Sequence, residues 1–102
     1  MMICITSQGD TLESQVDPRF GRCAYFVFAD TATGKFEAVK NPNLEATGGA
    51  GPQSAQLAAS KGAKKVLTGN VGPNAMSTLA AAGIEVVTGV SGTVKEALAN
   101  SK

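Results

Sequence analysis

The sequence predicts an α/β fold: a single three-layer domain over residues 1–102, with a five-stranded mixed sheet in the order 3-2-1-4-5 and helices packed on it. Three observations predict it. The second half alternates short β-rich runs with alanine-rich helical stretches over short connections, and right-handed crossovers then give parallel pairing. The first half holds two β-rich runs around a turn, a hairpin that adds to the other side of strand one and leaves strand two antiparallel to the rest. Three glycine-bearing loops, Gly48-Gly49-Ala50-Gly51-Pro52, Gly69-Asn70-Val71-Gly72-Pro73 and Gly89-Val90-Ser91-Gly92-Thr93, each run straight into a predicted helix.

Met2-Ile3-Cys4-Ile5-Thr6 is apolar and β-rich, the pattern of a buried strand. A polar stretch with the turn signal Gly9-Asp10 follows, and Pro18 and Gly21 punctuate the irregular segment Val16 to Cys23. Ala24-Tyr25-Phe26-Val27-Phe28-Ala29 is the second strand. Asp30 to Gly34 has turn chemistry, and Lys35 to Lys40 alternates polar and apolar as a half-exposed edge strand does. Asn41 to Gly51 is a polar, glycine-rich loop. Pro52 suits a first helical residue, Ala55, Ala58 and Ala59 form that helix's inner stripe, and Gly62 fits its C-terminal cap. Lys65 to Thr68 is strand four. Pro73 opens a helix with Ala75, Met76, Leu79 and Ala80 inward, and Gly83 ends it. Ile84 to Thr88 is the last strand. Thr93 and Glu96 have capping-box spacing ahead of a final helix striped by Val94, Ala97 and Leu98.

Composition narrows the function. Nine Lys and Arg against eight Asp and Glu give a formal net charge of +1, which argues against a broad nucleic-acid or membrane footprint. No apolar run reaches transmembrane length, the N-terminus lacks a signal-peptide layout, and the expected location is the cytoplasm. There is no histidine, which removes Ser-His and Cys-His pairs and histidine-ligated zinc. Two cysteines are too few for a disulfide framework.

Any anion site is therefore local, and the topology says where to look. Strands one, three, four and five point the same way, so the three glycine loops and the Ser7–Cys23 loop gather at one edge of the sheet, where open α/β folds bind ligands. A helix start exposes unpaired N–H groups and the positive end of a dipole. Candidate binding residues are Arg19, Arg22, Gly49, Ala50, Gly51, Gly69, Asn70, Gly72, Gly92 and Thr93. Asn70, Asn74 and Gln53 fit turn and helix-start positions, and equally fit amide donors to an anion. The glycines also have an ordinary reading as sharp strand-to-helix turns, and none matches a Walker or dinucleotide pattern. Cys23 is either an apolar filler or an exposed thiolate favoured by Arg22 and helix N-termini. Cys4 belongs to the core.

Two segments carry a resemblance. Val16-Asp17-Pro18-Arg19-Phe20-Gly21-Arg22-Cys23-Ala24-Tyr25-Phe26 resembles the signature of the dinitrogenase iron–molybdenum cofactor biosynthesis family, and so does Gly48-Gly49-Ala50-Gly51-Pro52-Gln53-Ser54-Ala55-Gln56 followed by Leu67 to Ala75. The likeness continues through Ala81 to Ile84 and Gly92 to Ala97. The family includes carriers of the NifX type, the C-terminal part of the NifB type and the orange proteins. The resemblance implies a ribonuclease H-like fold and a negatively charged metal–sulfur cluster, iron–sulfur or molybdenum-containing, as ligand. It implies no nuclease: Ile3-Cys4-Ile5-Thr6 has no inward acidic residue to start a two-metal site. Cys23 is the protein thiolate expected to ligate metal, if any does, and one thiolate cannot build an ordinary iron–sulfur site.

The expected function is non-enzymatic binding, carrying or assembly of such a cluster. The partner implied is a protein that assembles or accepts the cluster, with the chain itself a monomer or weak homodimer. Two other readings stand beside it: a regulatory or interaction module that kept the scaffold and lost the ligand, and a small binder or enzyme acting on an anionic metabolite. The absence of histidine and of clustered carboxylates leaves the last without a general base.

Overall fold

A computed structural model describes residues 1–42 and 50–101. The described residues form β1 (Met2–Ser7), β2 (Tyr25–Asp30), β3 (Phe36–Lys40), α1 (Ala50–Ser60), β4 (Ala63–Leu67), α2 (Pro73–Ala81), β5 (Glu85–Val87) and α3 (Val94–Asn100). The sheet order is β3-β2-β1-β4-β5. The pairs β1–β2 and β2–β3 are antiparallel, and β1–β4 and β4–β5 are parallel. The predicted architecture and strand order are the observed ones.

Alternation along the strands sorts side chains into two layers. Cys4, Phe26, Phe28 and Val66 meet Ala55 and Ala58 of α1 and Ala75 and Leu79 of α2. Ile3, Ile5, Val27 and Leu67 meet Val94 and Ala97 of α3. Beside β1, Met2 lies opposite Ala63 but Ile3 opposite Lys65, so Lys64 is an extra residue. That bulge lets Ala63 and Val66, three apart, face the same layer.

Several boundaries and stripes differ from expectation. α1 starts at Ala50, not Pro52. Proline is tolerated within a first turn because the N–H groups there have no intrahelical acceptor. Ala59 and Ala80 are exposed and Met76 is 37% exposed, because these short helices each press only a narrow face on the sheet. Gly62 and Gly83 end their helices at positive φ as expected, and β3 is the half-exposed edge. Gly48 and Gly49 lie outside the described residues. No described helix is long and apolar enough to cross a membrane.

One consequence of this topology shapes the site. α1 leads into β4 and α2 leads out of it, so both run antiparallel to β4 and parallel to each other. They pack side by side, close enough that a Cβ on Gly51 would stand 3.0 Å from the Ala75 Cβ. Their N-termini therefore meet at the C-terminal edge of the sheet. α3 returns across the opposite face, covering Ile3 and Ile5, which would otherwise be bare.

Candidate functional site: a polar cavity where two helices begin

The segment after β1 is pinned in two halves. Ser7 to Val16 goes to the α3 face, where Val16 joins the apolar layer. Asp17 to Cys23 goes to the α1–α2 face. Its start is fixed by the Asp17 N–H, which donates to Thr6 O at 2.9 Å, and by Thr6 Oγ1, which donates back to Asp17 O at 2.6 Å. The Phe20 N–H donates to Asn70 O at 3.1 Å, and the Phe20 ring packs edge-on against Phe26. Gly21, at φ +91°, turns the chain in a way few other residues adopt. Arg22 then points outward while Cys23 points in.

The result is a cavity of about 270 Å³. Phe20, Gly21 and Arg22 form one wall, and the first turns of α1 (Gly51, Pro52) and α2 (Gly72, Pro73, Asn74, Ala75) form the other. α2 is entered through Gly72, which has no side chain to offer as a cap, and no side-chain cap bond is present among the described residues. Each helix start carries roughly half a positive charge. Two of them side by side repel, and an anion between them relieves that repulsion. With Arg22 opposite, the geometry suits a negatively charged group.

Of the residues predicted from sequence, the structure brings Arg22, Gly51 and Gly72 together here. Asn74, left open as turn residue or donor, also lines the cavity, whereas Gln53 does not. Ala50 is the first residue of α1, and Gly49 lies outside the described residues. Phe20, Gly21, Pro52, Pro73 and Ala75 were not among the predicted binding residues. Phe20 stands inside the quoted signature but reads as core from its type alone.

The remaining described candidates do not line this cavity. Arg19 turns back on Asp17: its Nε donates to Oδ1 at 3.3 Å and its Nη2 to Oδ2 at 3.4 Å. The hydrogen bond and charge of Asp17 hold the exposed guanidinium protonated, above its already high ordinary value. Gly69 serves packing. A Cβ there would fall 2.6 Å from Pro18 Cα, so the two backbones can touch only if this residue is glycine. Asn70 bridges to Arg19 along the backbone, and its Oδ1 accepts from the Val71 N–H.

Gly92 and Thr93 share the sheet edge, since the Gly89 N–H donates to Gly69 O at 2.9 Å, but they start α3 on the other face. The donors there are already used. The Thr93 N–H goes to Glu96 Oε1, Val94 N–H to Ser14 O, Lys95 N–H to Leu12 O and Glu96 N–H to Thr93 Oγ1. The Thr93 N–H, and then the Thr93 hydroxyl donating to the same Oε1 at 3.1 Å, hold the Glu96 carboxyl below its usual range.

Of the two readings of Cys23, apolar filler or exposed thiolate, the structure matches the first: the residue is 0% exposed. Burial, then the negative charge of Asp17, pushes its thiol up to about 12, although the peptide groups of Gly21, Cys23 and Ser7 pull it partly back. Among the described residues, no group of three or more His, Cys, Asp or Glu is placed to hold a metal ion.

Comparison with known proteins gives a family and a fold. The profile of the family described as dinitrogenase iron-molybdenum cofactor matches residues 1–102. The apo form of the orange protein from Desulfovibrio gigas matches with a TM-score of 0.95 at 43% identity, over 98% of this chain and 85% of that one. A candidate NifB protein from Thermotoga, assigned to the DUF35 family, matches with a TM-score of 0.85 at 41% identity, over 98% of this chain and 85% of that one. An uncharacterized protein of Methanocaldococcus jannaschii is 32% identical over 76 residues, which is 72% of this chain. The match spans 64% of that relative's own length.

Proposed function

The chain belongs to the dinitrogenase iron-molybdenum cofactor family, and from that premise we propose that it binds and carries an anionic metal–sulfur cluster in the cavity between Arg22 and the starts of α1 and α2. One observation carries the reading: two parallel helix N-termini and an arginine converge on one open polar cavity. A cluster of metals and sulfides is large and negatively charged, and its sulfurs accept hydrogen bonds from backbone N–H groups. Gly51, Gly72 and Ala75 keep the backbone close to it. Arg22 supplies the full charge.

The donor set fits an intact cluster held as an anion. A bare metal ion needs several coordinating side chains, and the described residues offer no such group. Cys23 stays a protonated packing residue in this reading. The chain acts as a carrier without catalysing a reaction, and the cluster comes from, or goes to, an assembly partner through the open side of the cavity.

The test is purification without oxygen, metal analysis and anaerobic reconstitution with iron and sulfide, or with tetrathiomolybdate and copper. The expected product is a coloured, stoichiometric, protein-bound species. A protein that stays colourless while nucleotides or sugar phosphates raise its melting temperature saturably belongs instead to the anionic-metabolite reading.

A further inference from the structure

We propose that Asn41 is a positioning residue for this site: its side-chain amide clamps the two peptide carbonyls that flank Arg22 and so holds Arg22 at the cavity. The inference rests on the cavity being the binding site.

Asn41 follows β3 and is 4% exposed. Its Nδ2 donates to Gly21 O at 3.1 Å and to Cys23 O at 2.8 Å. Both amide protons go to carbonyls one residue either side of Arg22, and the Asn41 backbone N–H donates to Ala24 O at 3.0 Å. Three anchors, at 21, 23 and 24, thus fix the peptide plane that leads into Arg22 and the two planes that follow Cys23 and Ala24, so Arg22 is held from both sides. The turn needs such fixing. Gly21 has positive φ and wide conformational freedom, and Arg22 itself is exposed with its N–H only 3.3 Å from Arg19 O.

The residue type follows from the geometry. A buried side chain that donates twice to neutral carbonyls has to be a carboxamide here: aspartate would set a charge against two carbonyl oxygens, and leucine would leave both carbonyls without partners. A long arginine on a loose turn loses orientation entropy when it binds. Holding its backbone removes part of that cost in advance.

The test is a double-mutant cycle on ligand affinity, read by visible absorption during anaerobic titration with tetrathiomolybdate and copper. The variants are Asn41→Ser, Arg22→Ala and the pair, with Asn41→Asp as a second probe because it keeps size and shape. Asn41→Ser is expected to weaken binding about tenfold in the parent chain and less than about twofold in the Arg22→Ala background. Asn41→Asp should weaken it in the parent at least as much. Folded fraction, followed by circular dichroism, corrects each affinity.

Equal losses in both backgrounds would mean that Asn41 only supports the fold, and would overturn the proposal. So would parent-like affinity in both Asn41 variants. If the parent chain binds nothing, the cavity reading itself fails and takes this inference with it, an outcome distinct from the other two.

Discussion

Arg19 and Arg22 stand three residues apart in one loop and have different work. Arg19 is neutralised locally by Asp17, whereas Arg22 faces two helix starts across the cavity. Arg22→Ala is therefore expected to weaken thiometallate binding about tenfold or more, the scale of one charge-assisted hydrogen bond, and Arg19→Ala less than about threefold. Parallel anaerobic titrations of the two variants check this. The sequence offers both arginines on equal terms, because the pairing depends on how Asp17 is buried.

Cys23 gives a pH dependence. Its folded thiol is raised from an ordinary 9.0 to about 12, and burial raises Cys4 in the same direction. A raised acid is protonated in the folded chain while the unfolded chain has already ionised. Stability is thus fully present below pH 9 and falls as pH climbs toward 12, by at most about 1.4 kcal/mol per pH unit for each thiol. Urea midpoints measured between pH 8 and 11 should fall, and fall less steeply in Cys23→Ala. A flat profile in the parent would contradict the burial of both thiols.

Among the elements, α2 and α3 contrast most. α3 closes its own N-terminus with the Thr93–Glu96 capping box and the carbonyls of Leu12 and Ser14 from the loop after β1. α2 begins at a bare glycine beside the cavity. Thr93→Ala should cost about 1 kcal/mol of stability and leave ligand affinity unchanged, as melting curves and titrations on one sample would show. Gly69→Ala should cost roughly 2 kcal/mol, since Pro18 backbone atoms occupy the space a Cβ needs.

The capping box, the Pro73 start of α2 and every strand were legible in the sequence, because each depends on residues close together in the chain. The face each helix covers was not. Periodicity says which side chains of α3 point inward, but not onto which side of the sheet, and so Gly92 and Thr93 were grouped with a cavity they do not reach. Asn41 was equally hidden. Its partners are main-chain carbonyls 18 and 20 residues away, which leave no mark on side-chain pattern.

At the scale of the whole molecule, the near-balanced charge means that no broad field draws the ligand in. In the proposed reading attraction comes from two helix starts and one arginine over a few ångströms, so affinity should decline only modestly between low and physiological salt. Two parallel helices on one face create that focus, and the returning α3 on the other face supports the sheet without adding to it. The most direct test is a ¹H–¹⁵N NMR titration of the chain with tetrathiomolybdate and copper in the absence of oxygen. The account predicts large, saturable shifts at the amides of Gly51, Gly72, Asn74, Ala75 and Arg22, with the Thr93–Glu96 amides of α3 unmoved. Shifts concentrated at the start of α3, or none at the starts of α1 and α2, would contradict it.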